Sequence, residues 1–354
     1  MDSPTQLPQR LCKRLHPNPH DNQNSFGNRN RRSVAPRLTV SAFSYPAFFP
    51  SPACTRQSSK SSSMSIPESN YRLLDFGKGR KLERFGDLIV DRPCPIATSP
   101  KKDAGLWDQA DLSYGLKASD RWHYTPKAIP ITTTKENWFC ECDGVHMSLK
   151  PTPAGQVGVF PEHWGHWPWL LEKLGSPDSK PSIPMRVLSL FAYTGATTLA
   201  LARAGCAVTH VDSSKPTVVW ARENCAYSDL GSASIRWIVD DATAFVKREL
   251  KRKVHYEAIL LDPPTYGHGS KGTRWEIHRH LLPLLNDCWQ LLSADRRAVL
   301  LSGHSSHIAI RDINEILGRQ HGAESVLNCD ITQANLVDSF GRKLDCGFAA
   351  RYSF

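Results

Sequence analysis

The sequence predicts an α/β fold built on a doubly wound parallel sheet, on three observations. After Pro184, short apolar runs alternate with segments that have the length and caps of helices. Runs that are apolar throughout predict strands buried on both faces, which is typical of parallel sheets covered by helices. The first four runs each end in a turn that contains acidic residues or glycine, at the edge where such sheets bind ligands.

The predicted elements follow one another in a regular order. Ser213 and Ser214 offer a hydroxyl that can cap the second helix, and Pro216 suits its first turn. Strands are predicted at 187–191, 207–211, 235–239, 258–261 and 298–301. Helices are predicted at 195–204, from 213 onward, at 242–253 and at 275–292. We therefore assign residues 181–354 to this sheet domain.

Residues 67–180 are predicted to form a small β-rich N-terminal extension. Gly86–Asp91 has the pattern of a strand, and Pro93 ends it. Asp143-Gly144 between two β-rich runs, 138–142 and 145–149, is typical of a two-residue hairpin turn. We expect residues 155–160 to extend that small sheet.

Residues 1–66 are predicted to be a disordered presequence. Nine of the basic residues but only two of the acidic ones lie here, so the segment contributes +7 of the net charge of +10. Segments rich in Arg and Ser and poor in acids are typical of organelle transit peptides. We expect a mitochondrial protein; the alternative is a cytoplasmic protein that starts at Met64.

The composition excludes several classes of protein. With 40% hydrophobic and 22% charged residues, the chain of 354 residues can bury a core. The sequence contains no run of about 18 apolar residues, so no membrane-spanning helix is predicted. The ten cysteines follow no signal peptide, so no secreted disulfide framework is expected. Cys140 and Cys142, with His146 nearby, lack a second Cys/His pair, and we expect no metal site.

The residues after the predicted strands describe an adenosine pocket. Gly195 lets the backbone approach a ligand closely. Asp212, after the second strand, is placed to accept hydrogen bonds from ribose hydroxyls. Asp241, after the third strand, can accept from the adenine amine, with Ile238 or Val239 against the ring.

The glycine pattern argues against other nucleotide-binding classes. The turn after the first strand has one glycine, so it lacks the G-x-G-x-x-G that admits a pyrophosphate, and no Walker motif is present. A NAD-dependent oxidoreductase on the same kind of sheet is therefore the less favoured enzyme class.

Residues 155–354 resemble the class I S-adenosylmethionine (SAM)-dependent methyltransferases, more narrowly the branch of the bacterial ribosomal-RNA large-subunit methyltransferases. The resemblance implies a Rossmann-like sheet and SAM as the cofactor. Gly158–Glu162 is similar to the family's segment that closes over the cofactor. The motifs that carry the resemblance are Val187-Leu-Ser-Leu-Phe-Ala-Tyr-Thr-Gly195, Val211-Asp-Ser-Ser-Lys215, Trp220-Ala-Arg-Glu-Asn224, Val239-Asp-Asp-Ala242, Leu261-Asp-Pro-Pro264 and Gly347-Phe-Ala-Ala-Arg351.

The resemblance also implies roles for single residues. Tyr193, Thr194 and Gly195 match the loop that meets the methionine part of the cofactor. Asp262 matches the edge where the methyl donor meets its acceptor. The remaining residues implied to bind the cofactor are Asp212 and Ser213 on the ribose side and Asp240 and Asp241 on the adenine side.

Asp262 and Tyr266 are the predicted catalytic residues. Asp262-Pro-Pro-Thr-Tyr266 is similar to the turn with which base-nitrogen methyltransferases hold and stack a flipped base. Relatives that methylate cytosine C5 use a Cys where this chain has about Ser305, beside His304. A hydroxyl is a poor nucleophile unless a strong general base activates it, so we expect direct methyl transfer without a covalent intermediate. The expected acceptor is a nucleobase of organellar ribosomal RNA.

Two alternatives to this function remain open. The chain can bind the cofactor as a non-catalytic ribosome assembly factor, or it can methylate a protein or a small molecule. The sequence does not determine the oligomeric state.

Overall fold

A computed structural model describes most of the chain. The described residues are 68–115, 121–130, 138–175, 183–268, 274–304, 310–326 and 328–354. They belong to one compact unit, Ser61–Phe354. The predicted presequence 1–66, with Met64, and the position of Ser305 lie outside the described residues.

The N-terminal part of the described chain forms a five-stranded sheet and a hairpin. The sheet follows chain order: β1 (Tyr71–Gly77), β2 (Arg80–Phe85), β3 (Leu88–Pro93), β4 (Leu112–Tyr114) and β5 (Trp122–Tyr124), with the single turn α1 (Ala104–Trp107) between β3 and β4. The hairpin consists of β6 (Trp138–Cys142) and β7 (Val145–Leu149). Its turn residues Asp143 and Gly144 have φ of 48° and 72°, as a type I′ turn requires, so the predicted hairpin is confirmed.

Residues 155–160 do not form the strand that the sequence predicts. The Lys150 amide donates to the Val157 carbonyl at 3.0 Å, and the Thr152 amide donates to the Gln156 carbonyl at 2.8 Å. These bonds fold the chain back on itself and leave 155–160 outside the strands. A 3₁₀ helix, Pro161–His166, and helix α2 (Trp167–Leu174) follow.

A seven-stranded sheet forms the centre of the molecule and confirms the predicted α/β class. Its strands are β8 (Arg186–Leu190), β9 (Ala207–Asp212), β10 (Ile235–Val239), β11 (Ala258–Leu261), β14 (Ala298–Gly303), β15 (Cys329–Val337) and β16 (Lys343–Ser353). Their order is β10-β9-β8-β11-β14-β16-β15. The first five strands in this order are parallel, and β16 is antiparallel to both of its neighbours.

Helices cover both faces of the central sheet. Because side chains alternate along a strand, Ala258 and Leu260 face a cluster with α2, whereas Ile259 and Leu261 face the opposite cluster. The helices after α2 are α3 (Ala196–Arg203), α4 (Lys215–Tyr227), α5 (Ala242–Arg252), α6 (Ile277–Gln290) and α7 (Ile310–His321). In the described part of the chain, no helix combines the length and apolar character needed to cross a bilayer.

A short ribbon precedes α6 and moves its start from the predicted position. Strand β12 (Tyr266–His268) pairs with β13 (Arg274–Glu276), so α6 begins at Ile277 and not at residue 275.

The β6–β7 hairpin packs against helices of the central sheet. Met147 of the hairpin shares an apolar cluster with Leu199 of α3 and Cys225 of α4. The hairpin and the central sheet thus share a core.

Candidate functional site

Two adjoining cavities open at the carboxyl edge of the parallel strands. The first, which we call the loop cavity, is bordered by the turn after β8, the ends of β11 and β14, and the 3₁₀ helix. The second, the ribose cavity, is bordered by the ends of β9 and β10 and by the loop after β11. They enclose about 620 and 380 Å³, open mouths included, and Phe191 lines both. Together they have the size of a small-molecule site.

The structure brings eight of the nine predicted site residues to these cavities. Tyr193, Thr194, Gly195 and Asp262 line the loop cavity. Asp212, Ser213, Asp240 and Asp241 line the ribose cavity. Tyr266 lines neither cavity and is 64% exposed on the β12–β13 ribbon. Its role in stacking a base stays a prediction.

The turn after β8 has an unusual backbone. Phe191, Tyr193 and Gly195 all have positive φ, at 55°, 51° and 88°. For residues other than glycine, this conformation costs about 1–2 kcal/mol each. Such strain persists only where the surrounding structure enforces it, and it is concentrated at functional sites.

Asp212 is one of the groups that hold this turn. Its Oδ2 accepts the Tyr193 amide at 2.9 Å and its Oδ1 accepts the Ser214 amide at 2.9 Å. Burial raises the pKa of Asp212, and the two amide bonds only partly oppose that rise. Each carboxylate oxygen has a further lone pair, so Asp212 can also accept from hydroxyl groups in the ribose cavity.

The two acidic residues after β10 have local partners as well. Oδ1 of Asp241 accepts the Ala244 amide at 2.9 Å and caps α5, while Asp240 pairs with Arg248. Ile238 and Val239 are not among the residues that line the ribose cavity, contrary to the sequence-based expectation. Its apolar walls are instead formed by Phe191, Pro264 and Trp275.

Asp262 lies at the end of β11 between two polar side chains. The Ser302 hydroxyl donates to its Oδ1 at 2.8 Å. Nε2 of His163 lies 3.6 Å from its Oδ2. The His163 ring in turn stacks against Phe160 and His304, with centroids 5.9 and 6.3 Å apart. This arrangement limits the directions in which the Asp262 carboxylate can point.

His163 and His166 are functional candidates that the sequence did not reveal. Both line the loop cavity, one turn apart on the 3₁₀ helix. Arg351 donates to Nδ1 of His166 at 3.0 Å, which leaves the proton on Nε2. Burial lowers the pKa of His166, and neighbouring His163 and Arg351 lower it further, so the ring is neutral. Its buried Nε2 has no hydrogen-bond partner among the described residues.

The segment 158–162 lies against the strained turn, and its closing over the cofactor stays a prediction. Thr194 donates its hydroxyl to the Gly158 carbonyl at 2.5 Å. Gly158 has φ of 104°, and a Cβ there would stand 2.2 Å from the Trp220 ring. The Pro-Glu-His-Trp-Gly-His run that follows was the available signal for His163 and His166.

Comparison with known proteins identifies the class. No family model matches the sequence. A SAM-dependent methyltransferase from Agrobacterium tumefaciens superposes with a TM-score of 0.74 at 31% identity, covering 82% of this chain and 92% of that one. A protein described as a SAM-dependent methyltransferase from Streptococcus mutans shares the fold, with a TM-score of 0.60 at 14% identity over 81% and 75% of the two chains.

Curated relatives agree with the narrower resemblance. The ribosomal RNA large subunit methyltransferase K/L of Shewanella frigidimarina is 35% identical over 212 residues, which are 59% of this chain and 27% of that protein. The protein of the same name from Shewanella sp. strain MR-4 is 26% identical over 219 residues, 61% of this chain and 28% of that protein. This chain therefore matches little more than a quarter of the length of these relatives.

The sheet order and its acidic, glycine-containing edge are those of a Rossmann-like domain that binds a nucleoside cofactor. The chain belongs to the SAM-dependent methyltransferases, which confirms the predicted fold, enzyme class and cofactor.

The residues present fit SAM. Asp212 and Ser213 offer polar groups on the ribose side, with the apolar walls nearby for a purine. In the loop cavity, the buried Nε2–H of His166 is a donor without a partner in the described chain, and the carboxylate of the methionine part of SAM needs such a donor.

Among the described residues, no three Cys, His, Asp or Glu side chains are grouped to hold a metal ion.

Proposed function

We propose that this enzyme methylates a base of large-subunit ribosomal RNA by direct transfer. The observation that carries the proposal is Asp262, a carboxylate held by Ser302 beside the loop cavity, at the edge that the family motif assigns to the acceptor. The names and sequence similarity of the Shewanella relatives support ribosomal RNA as the substrate.

SAM, when bound, supplies a methyl group that is activated by its sulfonium centre. Asp212 and the strained turn position the cofactor, while Asp262 accepts a hydrogen bond from an N–H group of the acceptor and orients its lone pair. The hydrogen bond from Ser302 orients the Asp262 carboxylate, and the His163 ring lies beside its other oxygen. Catalysis of this kind consists mainly of positioning the two reactants.

The described cysteines support a mechanism without a covalent enzyme–RNA intermediate. None of the eight lines the loop cavity or the ribose cavity. Cys288, the nearest in sequence to Asp262, is fully buried in α6, and burial raises the pKa of its thiol. A protonated thiol is a poor nucleophile.

We further propose that the enzyme acts in an organelle, most simply the mitochondrion. The basic, Ser-rich and acid-poor composition of residues 1–66 supports this proposal. The proposal includes a division of the chain into three parts: a presequence (1–66), a β-rich extension (67–180) and a methyltransferase domain (181–354).

Mass spectrometry of total RNA nucleosides, from cells with and without the gene, tests the proposed function. We expect one methylated nucleoside of the large-subunit RNA to disappear with the gene. Unchanged RNA nucleosides together with a lost protein or small-molecule methylation would favour the alternative acceptors. Unchanged methylation of every kind, with impaired ribosome assembly, would favour a non-catalytic assembly factor.

A further inference from the structure

A third cavity, which we call the side cavity, lies beside the loop cavity and borders the same 3₁₀ helix. It is bordered by β2, by β3 and the turn after it, by the 3₁₀ helix, and by β15 and β16. Phe160 lines this side cavity and the loop cavity alike. His304, whose ring stacks on His163, also lines the side cavity. At about 1530 Å³, open mouth included, it has room for a nucleotide.

The 3₁₀ helix presents different groups to the two cavities. Such a helix has about three residues per turn, so His163 and His166 lie on one face. Both line the loop cavity, whereas Glu162 lines the side cavity. A single helical turn therefore separates the proposed methyl-transfer edge from Glu162.

Glu162 is a buried carboxylate with an unused acceptor. The residue is 6% exposed, and its Oε2 has no hydrogen-bond partner among the described residues. Burial acts to raise the pKa of Glu162, but the Lys81 ammonium and His163 outweigh it and hold the pKa below the usual range. Leaving a buried acceptor unpaired costs about 1–3 kcal/mol, which a ligand that donates to Oε2 would recover.

The cations of the side cavity are already compensated. Arg92 donates to both carboxylate oxygens of Glu83, at 2.5 and 3.1 Å, and to Oε1 of Gln156 at 2.8 Å. Lys81 pairs with the same Glu83 at 3.1 Å. With Glu162, the buried cluster holds two cations and two carboxylates. Such a neutral cluster does not favour a phosphate group.

We infer that the side cavity receives the acceptor base, extruded from the RNA, and that Glu162 reads an N–H donor on its edge. Enzymes that modify bases take them out of the stack into pockets that combine aromatic walls with hydrogen bonds to the base edge. Phe160 and Phe348 supply apolar ring surface here, and Glu162 supplies the acceptor. This inference rests on the function proposed above.

Replacing Glu162 by Gln tests the assignment. Gln has the same shape but is uncharged, and one of the two acceptor oxygens is replaced by an NH2 group that donates hydrogen bonds. With in vitro transcribed large-subunit ribosomal RNA, we expect Glu162→Gln to raise KM for RNA about tenfold or more, with a smaller effect on kcat. The affinity for SAM should stay close to wild type, whereas the Tm should fall because the buried cations Lys81 and Arg92 are then balanced by Glu83 alone. Glu172→Gln, which removes an exposed carboxylate on the adjacent α2, is the matched control.

A second variant tests the cavity without touching the buried charges. Ile96 is 56% exposed and lines the side cavity, so Ile96→Trp should obstruct part of it while the protein still folds. We expect this variant to bind SAM normally and to lose most of its RNA methylation. It should also bind the RNA transcript more weakly in the presence of S-adenosylhomocysteine. Ile183→Trp, at a 79% exposed position before β8, is the matched control.

The outcomes separate this inference from the proposed function. Wild-type kinetics and RNA affinity in both Glu162→Gln and Ile96→Trp would overturn the side-cavity assignment while RNA methylation itself stands. A wild-type enzyme that transfers no methyl group to the RNA would contradict the proposed function, and the assignment with it.

Discussion

Nε2 of His163 lies 3.6 Å from Oδ2 of Asp262, and Ser302 donates to the other carboxylate oxygen at 2.8 Å. The 3₁₀ helix, β11 and β14 thus each contribute one polar group to the edge where the acceptor is proposed to meet the methyl donor. One carboxylate oxygen of Asp262 thus accepts a hydrogen bond and the other faces an imidazole nitrogen, and we expect catalysis to depend on the orientation of this carboxylate.

His163→Phe isolates the contribution of the imidazole nitrogens. A phenyl ring preserves the stacking on Phe160 and His304 but cannot interact with the Asp262 carboxylate. We expect kcat to fall about tenfold because the carboxylate is then oriented by Ser302 alone. Steady-state kinetics on RNA measure this, with SAM affinity and Tm as controls. Wild-type kcat in His163→Phe would mean that only the ring stacking matters.

Asp212→Ala should weaken SAM binding by about 1.5–3 kcal/mol, because charge-assisted hydrogen bonds to the ribose are lost. Isothermal titration calorimetry measures the affinity. Equal affinity in wild type and variant would contradict the assignment of the ribose cavity.

The pH dependence of that affinity sharpens the same test. Burial raises the pKa of Asp212, with partial opposition from the Ser214 and Tyr193 amides. Protonation removes the carboxylate's acceptor strength, so affinity should fall as the pH drops through this raised pKa. The fall should begin at a higher pH than for an ordinary aspartate. Asp212→Asn should bind more weakly and lack this component of the pH dependence.

Single Cys→Ser variants should retain methyl transfer. The informative positions are Cys94 and Cys346, which line the side cavity. Burial raises the pKa of both thiols, so neither is a ready nucleophile near neutral pH. Kinetics of each variant and electrophoresis after incubation with 5-fluorocytosine-substituted RNA test this. A protein–RNA adduct that disappears with one Cys→Ser change would establish a covalent mechanism instead.

Residues 1–66 should carry a fused fluorescent protein into mitochondria, whereas a chain that starts at Met64 should stay in the cytosol. The physical basis is the attraction of a cationic segment toward a negative interior. Fluorescence microscopy of both fusions provides the comparison. Identical distributions would show that the segment is not a targeting signal.

The sequence predicted the central sheet and most of the cofactor edge because both depend on local patterns. Asp212 and Asp241 follow apolar runs, and the parallel arrangement alone brings their ends together. His163, His166 and Glu162 could not be assigned in this way. Their positions depend on tertiary contacts of a segment without periodicity, such as the bond from Arg351 to the Gly165 carbonyl at 3.2 Å.

The strand at 155–160 and the position of Tyr266 are two of the local expectations that failed or remained open, each for a physical reason. The strand predicted at 155–160 is replaced by a turn. The carbonyls of Gln156 and Val157 accept from the Thr152 and Lys150 amides, so they are not available for pairing in a longer strand. Tyr266 was predicted to lie at the acceptor site, but pairing of β12 with β13 places it on an exposed ribbon. Neither pairing has a signal in the apolar pattern of the sequence.

Transfer of a labelled methyl group to RNA tests the central claim most directly. The full chain, wild type or Asp262→Ala, is incubated with methyl-labelled SAM and in vitro transcribed large-subunit ribosomal RNA, and the nucleosides are resolved by mass spectrometry. We expect one labelled nucleoside base with the wild type. With Asp262→Ala we expect about 100-fold slower transfer at nearly unchanged SAM affinity, because Asp262 contributes to the reacting geometry. No label in the RNA, or equal rates for the two proteins, would contradict the account.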